Sequence, residues 1–314
     1  MSSGTGQDKR DLLKQPLHGI YIPCALFIFG VAIQRLDYVP YAIGILAIIL
    51  GIKFGYVYFN SVKSLNAVEW TKFELIDKTV VSKNSAIYRF KLSRDDERLT
   101  IPIGHHLACK INIEGTDEIR YYTPISNQYD EGFFDILVKS YKDGKVSKFF
   151  ASLNPGSEVE FRGPVGRMSY VENMSKNLVM IAGGSGITPM LQVIGYITTT
   201  PEDLTNITLI YANESENDIL LKEELDEFSK SYPNFKLVYV LNKPKDLNWD
   251  EGYTGLITKE ILAKYLPKDA ENKENKVFIC GPLEMRKQML KYCEELGYEP
   301  GTLKSDQNDQ VFCF

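Results

Sequence analysis

Residues 182–189, AGGSGITP, decide the fold of this chain, because three glycines join an apolar run to a predicted helix. The run at 177–181 is typical of a strand covered on both faces, and Thr188 and Pro189 are typical of a helix N-cap and first helical residue. Glycines at such a junction let a phosphate or a ring approach the backbone, and a helix N-terminus favours negative charge. The spacing departs from GxGxxG and has no Walker lysine, so the stretch alone predicts either a nucleotide-binding turn or a plain tight turn.

Two further motifs flank this stretch along the chain. RYYTPIS lies upstream at residues 120–126, and CGP lies downstream at 280–282. In this order, with GPVG at 163–166 and YAN at 211–213, they resemble the NADH–cytochrome b5 reductase family, within the ferredoxin–NADP reductase-like flavoenzymes. The resemblance covers about residues 70–314. The apolar N-terminus, residues 214–225 and the last six residues resemble fungal members described as plasma-membrane-associated coenzyme Q reductases.

The pattern of predicted elements divides the globular part into two domains. From residue 70 to about 172, short strands separated by turn signals predict a closed antiparallel barrel, and the resemblance implies a six-stranded FAD-binding one. From 173 to 314, strands and helices alternate, which predicts an α/β domain with a doubly wound parallel sheet. Ligands of such sheets bind at the carboxyl ends of the strands, and the resemblance implies that this domain binds NADH.

The first 63 residues are predicted to be a membrane anchor. Two apolar stretches, 17–33 and 38–59, are separated by the polar break QRLD. Crossing the hydrocarbon core takes about 20 mostly apolar residues, so the second stretch qualifies and the first is short. Basic residues flank both outer ends, which predicts a two-helix hairpin in the lipid bilayer with a cytosolic catalytic domain. A single span stays open as an alternative.

Two other interpretations of this segment are disfavoured. A signal peptide does not explain the length of the second stretch, and a buried helix pair would carry an amphipathic stripe. Residues 1–17 contain two acids and do not resemble a mitochondrial presequence. We therefore expect the endoplasmic reticulum or the plasma membrane rather than the mitochondrial outer membrane.

Composition excludes several classes of function. The five cysteines are scattered without CxxC spacing, which argues against a disulfide framework or a zinc site and for a reducing compartment. With three histidines, a histidine-based metal centre or a Ser-His-Asp triad is not expected, so no metal is predicted. The net charge of −5 and the lack of a basic stripe predict no nucleic-acid partner.

The resemblance implies a set of flavin contacts. Arg120 would hold the FAD pyrophosphate, Tyr122 would cover the ring or contact the ribityl chain, and Thr123 would lie near flavin N5. Tyr121 stands where the family usually has proline. The full set implied for FAD is Arg120, Tyr121, Tyr122, Thr123, Pro124, Ser126, Leu137, Lys139, Tyr141, Gly144, Val146, Ser147 and Thr188.

The resemblance also implies nicotinamide contacts. Thr123, Lys139 and Cys280 would form the catalytic set, with Cys280 as a positioning group because hydride transfer needs no thiolate. Asn242 stands where NADH-preferring members usually carry aspartate, and Lys243 follows it, so strict discrimination against NADPH stays open. The remaining residues implied for NADH are Gly183, Gly184, Gly186, Gly281 and Pro282.

The predicted function is a membrane-anchored flavoprotein that moves a hydride from NADH to FAD and then single electrons to cytochrome b5 or a similar heme acceptor. Coenzyme Q, a quinone, is the alternative acceptor. Lys139, Lys142, Lys145 and Lys148 cluster in an otherwise acidic body, which predicts either a docking patch for an acidic heme protein or a solvated helix face. An inactive membrane adaptor that keeps the reductase fold is the non-enzymatic alternative.

Overall fold

The computed structural model describes residues 20–61, 63–140, 144–246 and 249–314. The chain forms two compact units, residues 1–63 and 64–314. The second unit contains both predicted domains, and the boundary between them at 172–173 stays a prediction.

The described part of the N-terminal unit is mainly helical. Helix α1 spans Ile22–Gln34, a 3₁₀ turn spans Leu36–Tyr38, and α2 spans Val39–Ser61. Large apolar side chains are exposed along both helices, among them Phe29 and Ile48. Within the described residues, one helix is long and apolar enough to cross a membrane, over the 20-residue stretch Leu36–Gly55. Helix α1 has 13 residues, and residues 17–19 lie outside the described part, so the two-span hairpin stays a prediction.

Six antiparallel strands form the first half of the larger unit, as predicted. The sheet order is β4-β3-β6-β1-β2-β5, and a bridge between Pro124 and Ile136 joins the chain beyond β4 to the opposite edge strand. In the core of this half, aromatic rings pack edge to face around Phe134. One helix, α3 (Lys145–Ser152), lies between β5 and β6. The strands are β1 (Thr71–Ser82), β2 (Ser85–Lys91), β3 (His106–Ile113), β4 (Thr116–Tyr122), β5 (Phe133–Lys139) and β6 (Glu158–Val165).

The second half is the predicted doubly wound sheet. Its strands are parallel in the order β10-β9-β8-β7-β11-β12, and one buried cluster covers each face. The strands are β7 (Asn177–Gly183), β8 (Asn206–Asn213), β9 (Phe235–Leu241), β10 (Gly252–Thr254), β11 (Asn275–Cys280) and β12 (Val311–Cys313). The helices are α4 (Ile187–Thr199), α5 (Lys222–Ser231), α6 (Lys259–Tyr265) and α7 (Leu283–Glu295).

The start of α4 differs from the prediction. A 3₁₀ turn at Gly184–Gly186 comes first, and the N-cap is Gly186 rather than Thr188. The Thr188 hydroxyl donates to the carbonyl oxygen of Ser185 at 3.3 Å instead of accepting from the backbone. Because the tight turn already coils the chain, the helix begins two residues earlier than the sequence pattern indicates.

Candidate active site

The glycine turn between β7 and α4 lies against the end of β11. A Cβ atom on Gly186 would collide with the carbonyl oxygen of Cys280, so this position requires glycine. Gly184 has a φ of +53°, and a Cβ there would have no heavy atom of the described residues within 4 Å. The turn therefore packs closely against β11 at Gly186, whereas the space beside Gly184 is open. This space leaves room for a ligand at the start of the helix.

Strand β11 brings the second motif to the same place. Cys280 pairs with Ala182 of β7, Gly281 approaches Gly183, and Pro282 caps α7. Burial raises the pKa of the Cys280 thiol to about 12, so it stays protonated at neutral pH. The structure thus brings Gly183, Gly184, Gly186 and the CGP motif together, and a neutral thiol agrees with a positioning role for Cys280.

The RYYTPIS motif runs along edge strand β4 and past its end. The side chain of Arg120 is 53% exposed, and its guanidinium lies 3.2 Å from the Glu118 carboxylate. Tyr121 is exposed and contacts His106, whereas the ring of Tyr122 packs edge to face on Phe150 of α3, 5.3 Å between centroids. The Tyr122 contact places the motif beside α3, with an exposed cation available for an anionic ligand.

The end of the motif is more buried. Thr123 is 9% exposed, and Pro124 bridges to Ile136 of β5. The Ser126 hydroxyl accepts from the backbone N–H of Asp135 at 3.2 Å. Ser126 therefore has a structural partner on β5, and Thr123 supplies the buried hydroxyl where β4 and β5 meet.

The first turn of helix α3 carries three of the residues implied for FAD. Gly144 occupies the N-cap position, and Val146 and Ser147 are buried in the first turn. The Ser147 hydroxyl donates to the carbonyl oxygen of Gly144 at 3.1 Å. The N–H groups of a first helical turn suit a phosphate, as the resemblance implies. Tyr141, predicted to contact FAD, lies outside the described residues.

Strand β5 connects the barrel to the nucleotide half. Leu137 packs in the same cluster as Ile187 and Met190 at the start of α4, and Thr188 is buried there too. The Lys139 ammonium lies 2.9 Å from the carboxylate of Asp218, which follows β8. Burial tends to raise the pKa of Asp218, but hydrogen bonds from Lys139 and Ser215 outweigh it and lower the pKa. Asp218 was not predicted as a site residue.

The ends of β8 and β9 form another polar region. Asn242 donates through Nδ2 to Glu214 at 3.0 Å, and Lys243 pairs with the same carboxylate at 2.8 Å. Neighbouring Asn213 is 8% exposed, and its amide has no hydrogen-bond partner among the described residues. Asn242 directly follows β9, at the strand end where ligands of parallel sheets bind. Glu214 and Asn213 lie in stretches that carry the resemblance, but neither was predicted as a site residue.

These features fit two ligands that carry phosphates. An exposed arginine on β4 and the N-terminus of α3 fit FAD on the barrel, and the open glycine turn with a buried unpartnered amide fits NADH on the sheet. The fold and the site define a two-domain oxidoreductase that binds a flavin and a nicotinamide nucleotide. In agreement, the family model of an oxidoreductase FAD-binding domain matches residues 72–170, and that of an oxidoreductase NAD-binding domain matches residues 180–291.

Known proteins identify the family more closely. The plasma membrane-associated coenzyme Q6 reductase PGA3 of Saccharomyces cerevisiae is 47% identical over 97% of both chains. NADH-cytochrome b5 reductase 1 of Ajellomyces capsulatus is 46% identical over 96% of this chain and 97% of its own. The cytochrome b5 reductase domain of Ulva prolifera nitrate reductase superposes with a TM-score of 0.73 at 31% identity, covering 81% of this chain and all of that domain.

The chain belongs to the NADH–cytochrome b5 reductase family. It is an FAD-dependent oxidoreductase that uses NADH, which leaves no support for the inactive adaptor. The roles of the individual site residues stay predictions.

Proposed function

We propose that this protein is a membrane-anchored reductase whose acceptor is cytochrome b5 or a similar heme protein. The observation that carries the proposal is the meeting of β5 with the nucleotide half, through Lys139 and Leu137. When held by the barrel, FAD would supply the link between a two-electron donor and a one-electron acceptor, because a flavin can take a hydride from NADH and pass its electrons on singly. This chemistry suits a heme acceptor. Relatives named NADH-cytochrome b5 reductase 1 support this choice.

In this proposal the protein's own residues bind and orient. Arg120 and the first turn of α3 hold phosphate groups, and the glycine turn before α4 admits the nicotinamide nucleotide. Thr123 and Lys139 line the position of hydride transfer, with Lys139 held by Asp218. No side chain has to move a proton in this half-reaction, which fits the protonated thiol of Cys280.

The first experiment uses the full-length protein in detergent under anaerobic conditions. NADH is added while the visible spectrum is recorded, and oxidised cytochrome b5 follows. Bleaching of a flavin band by NADH, then faster return of that band with the heme protein than without it, supports the proposal. A bleached flavin whose return is not accelerated by cytochrome b5 argues against the heme acceptor.

Of the four lysines in the predicted docking patch, two are described and exposed. Lys139 is only 11% exposed and paired with Asp218, and Lys142 lies outside the described residues. Lys145 and Lys148 are exposed on α3. Replacing both with glutamate is expected to raise the KM for cytochrome b5 roughly tenfold at low salt, because docking of an acidic partner is electrostatically steered. Lys230→Glu, a change of the same sign on α5, is the control and leaves that KM unchanged.

A quinone is the second candidate acceptor, and one cavity favours it. About 320 Å³ of space lies between the barrel and helices α4 and α5, in the size range of small-molecule sites. Its wall includes Pro124, the residue after Thr123, and is largely apolar. The apolar helix α2 and the name of the yeast relative support the same acceptor. Main apolar wall residues are Ile87, Ile101, Ile103, Leu191, Tyr196 and Phe228.

Gly195 allows this second candidate to be tested. It lines the cavity, and a Cβ there has no heavy atom of the described residues within 4 Å, so Gly195→Leu fills the space without striking the backbone. If quinone binds in the cavity, the variant loses most reduction of a short-chain quinone and keeps its rate with cytochrome b5. Equal quinone rates in variant and wild type would contradict this site.

The membrane assignment rests on α2 and is part of the proposal. We infer an anchor in the endoplasmic reticulum or plasma membrane, with the catalytic unit in the cytosol. Protease added to sealed membrane vesicles of known orientation tests the orientation, since a cytosolic unit is cut only where the cytosolic side is exposed. Recovery of the full chain in the soluble fraction after cell lysis would contradict anchoring.

A further inference from the structure

A polar network beyond β8 and β9 has no part in the acceptor reaction proposed above. We name Asn213, Glu214, Asn242 and Lys243 the β8–β9 corner. One carboxylate joins the two strand ends: Glu214 accepts from Asn242 Nδ2 at 3.0 Å through Oε2 and pairs with Lys243 Nζ at 2.8 Å through Oε1. The backbone N–H of Asn242 donates to the carbonyl oxygen of Asn213 at 3.0 Å, and that of Lys243 donates to the backbone carbonyl oxygen of Glu214 at 2.8 Å. Backbone hydrogen bonds therefore hold the two strand ends of the corner together.

A second observation indicates that a ligand belongs there. Asn213 is 8% exposed, yet neither its Oδ1 nor its Nδ2 finds a hydrogen-bond partner among the described residues. Leaving a buried amide unpaired is costly, so such a group is usually satisfied by a ligand or by water. Asn213 ends β8, and the carboxyl ends of parallel strands are where ligands of such sheets bind.

The corner lies at a suitable distance from the glycine turn for the adenosine part of a dinucleotide. Gly183 of β7 pairs with Ala212 of β8, and Asn213 pairs with Leu241 of β9. Neighbouring strands are about 4.8 Å apart, so the corner lies one to two strand spacings from the start of α4. A pyrophosphate at the helix N-terminus would place the adenosine ribose near the corner.

We propose that Glu214 is the residue by which this enzyme selects NADH over NADPH. A carboxylate at the ribose accepts a hydrogen bond from the 2′-hydroxyl and repels a 2′-phosphate. Glu214 also engages Lys243, the cation that would otherwise attract that phosphate. Asn242 does not carry the negative charge itself, but its amide is oriented by the neighbouring carboxylate.

The charge states agree with this role. Hydrogen bonds from Lys243 and Asn242 lower the pKa of Glu214, so the carboxyl is ionised at neutral pH. The same contact with Glu214 raises the pKa of Lys243, which keeps the lysine charged. In the corner the positive charge of Lys243 is therefore compensated by Glu214, and this carboxylate decides which ribose is accepted.

The test measures binding in full-length, FAD-loaded protein in detergent. Adenosine 2′,5′-bisphosphate and ADP represent the riboses of NADPH and NADH, and their dissociation constants are measured by calorimetry. Glu214→Gln is expected to tighten the bisphosphate roughly tenfold and to leave ADP within about twofold, as expected when like-charge repulsion gives way to attraction. Adding Lys243→Ala to this variant removes the gain.

A charge-matched control separates the local effect from net charge. Glu227→Gln removes the same charge from an exposed position on α5 and is expected to change neither constant. The proposal is overturned if Glu214→Gln leaves the ratio of the two constants unchanged, weakens both ligands equally, or is matched by Glu227→Gln. Ferricyanide serves as acceptor in the accompanying NADH and NADPH kinetics, so the result is independent of the physiological acceptor.

Discussion

Lys139 of the barrel and Asp218 of the nucleotide half form an ion pair across the two domains, with Nζ 2.9 Å from Oδ1. The lysine side chain is 11% exposed and that of the aspartate 24%. A buried ammonium that loses its partner is costly, so this contact both joins the halves and fixes the position of Lys139. The same pair makes a stability prediction possible.

Asp218→Asn is expected to lower the free energy of unfolding by about 1–2 kcal/mol at pH 7, because it leaves Lys139 charged and largely buried without a counterion. Urea unfolding measures the change. Glu158→Gln is the control, since its pair with Lys72 is exposed and worth below about 0.5 kcal/mol. Equal losses in the two variants would contradict a special role for the interdomain pair.

The same pair predicts a pH dependence. The pKa of Asp218 is lowered in the folded protein, so its contribution is present above the unfolded value of 3.8 and is lost as pH falls through the folded pKa. The difference in unfolding free energy between wild type and Asp218→Asn should therefore shrink below about pH 4. A difference that stayed constant down to pH 2.5 would show that the effect is not electrostatic.

How far the sequence could predict these contacts depends on their separation along the chain. The glycine turn and the CGP motif were predictable because each directly follows a buried apolar strand, and parallel strands end at the same edge. Asp218 and Lys139 are 79 residues apart, and Glu214 and Asn242 are 28 apart, so neither pair leaves a local pattern. The alternating acids at 214, 216 and 218 after a predicted strand were the available signal.

A second pH dependence of stability is expected from His106, and it also lowers stability as the pH falls. Burial lowers its pKa to about 4, with smaller contributions from His105 and Arg167. The folded value lies below the unfolded value of 6.5, so the unfolded chain binds the proton first and stability falls as pH drops below 6.5. His106→Gln should remove about 2 kcal/mol of the loss seen between pH 7 and pH 5. Parallel pH profiles of the two proteins would count against this assignment.

Alanine substitutions at Gly186, in the turn before α4, and at Gly195, within α4, are expected to affect stability in opposite directions. Gly186→Ala forces a Cβ into the carbonyl oxygen of Cys280, and is expected to cost about 2–3 kcal/mol and to weaken NADH binding. Gly195→Ala meets no described heavy atom within 4 Å and is expected to be neutral or to stabilise α4 by up to about 1 kcal/mol. Urea unfolding and NADH titration of both proteins compare them. Similar behaviour of the two variants would show that the packing against β11 is not what requires glycine.

Replacing Cys280 tests whether its thiol positions the nicotinamide or reacts as a nucleophile. Its pKa of about 12 keeps the thiol protonated at pH 7, so Cys280→Ala is expected to slow flavin reduction by NADH no more than about tenfold. The loss should appear mainly in the rate at saturating NADH, because a misplaced nicotinamide binds but reacts less often. Stopped-flow bleaching of the flavin separates rate from affinity. If the variant kept its flavin spectrum but lost flavin reduction entirely, the positioning role would be wrong. The thiol would then have to take a direct part in the reaction.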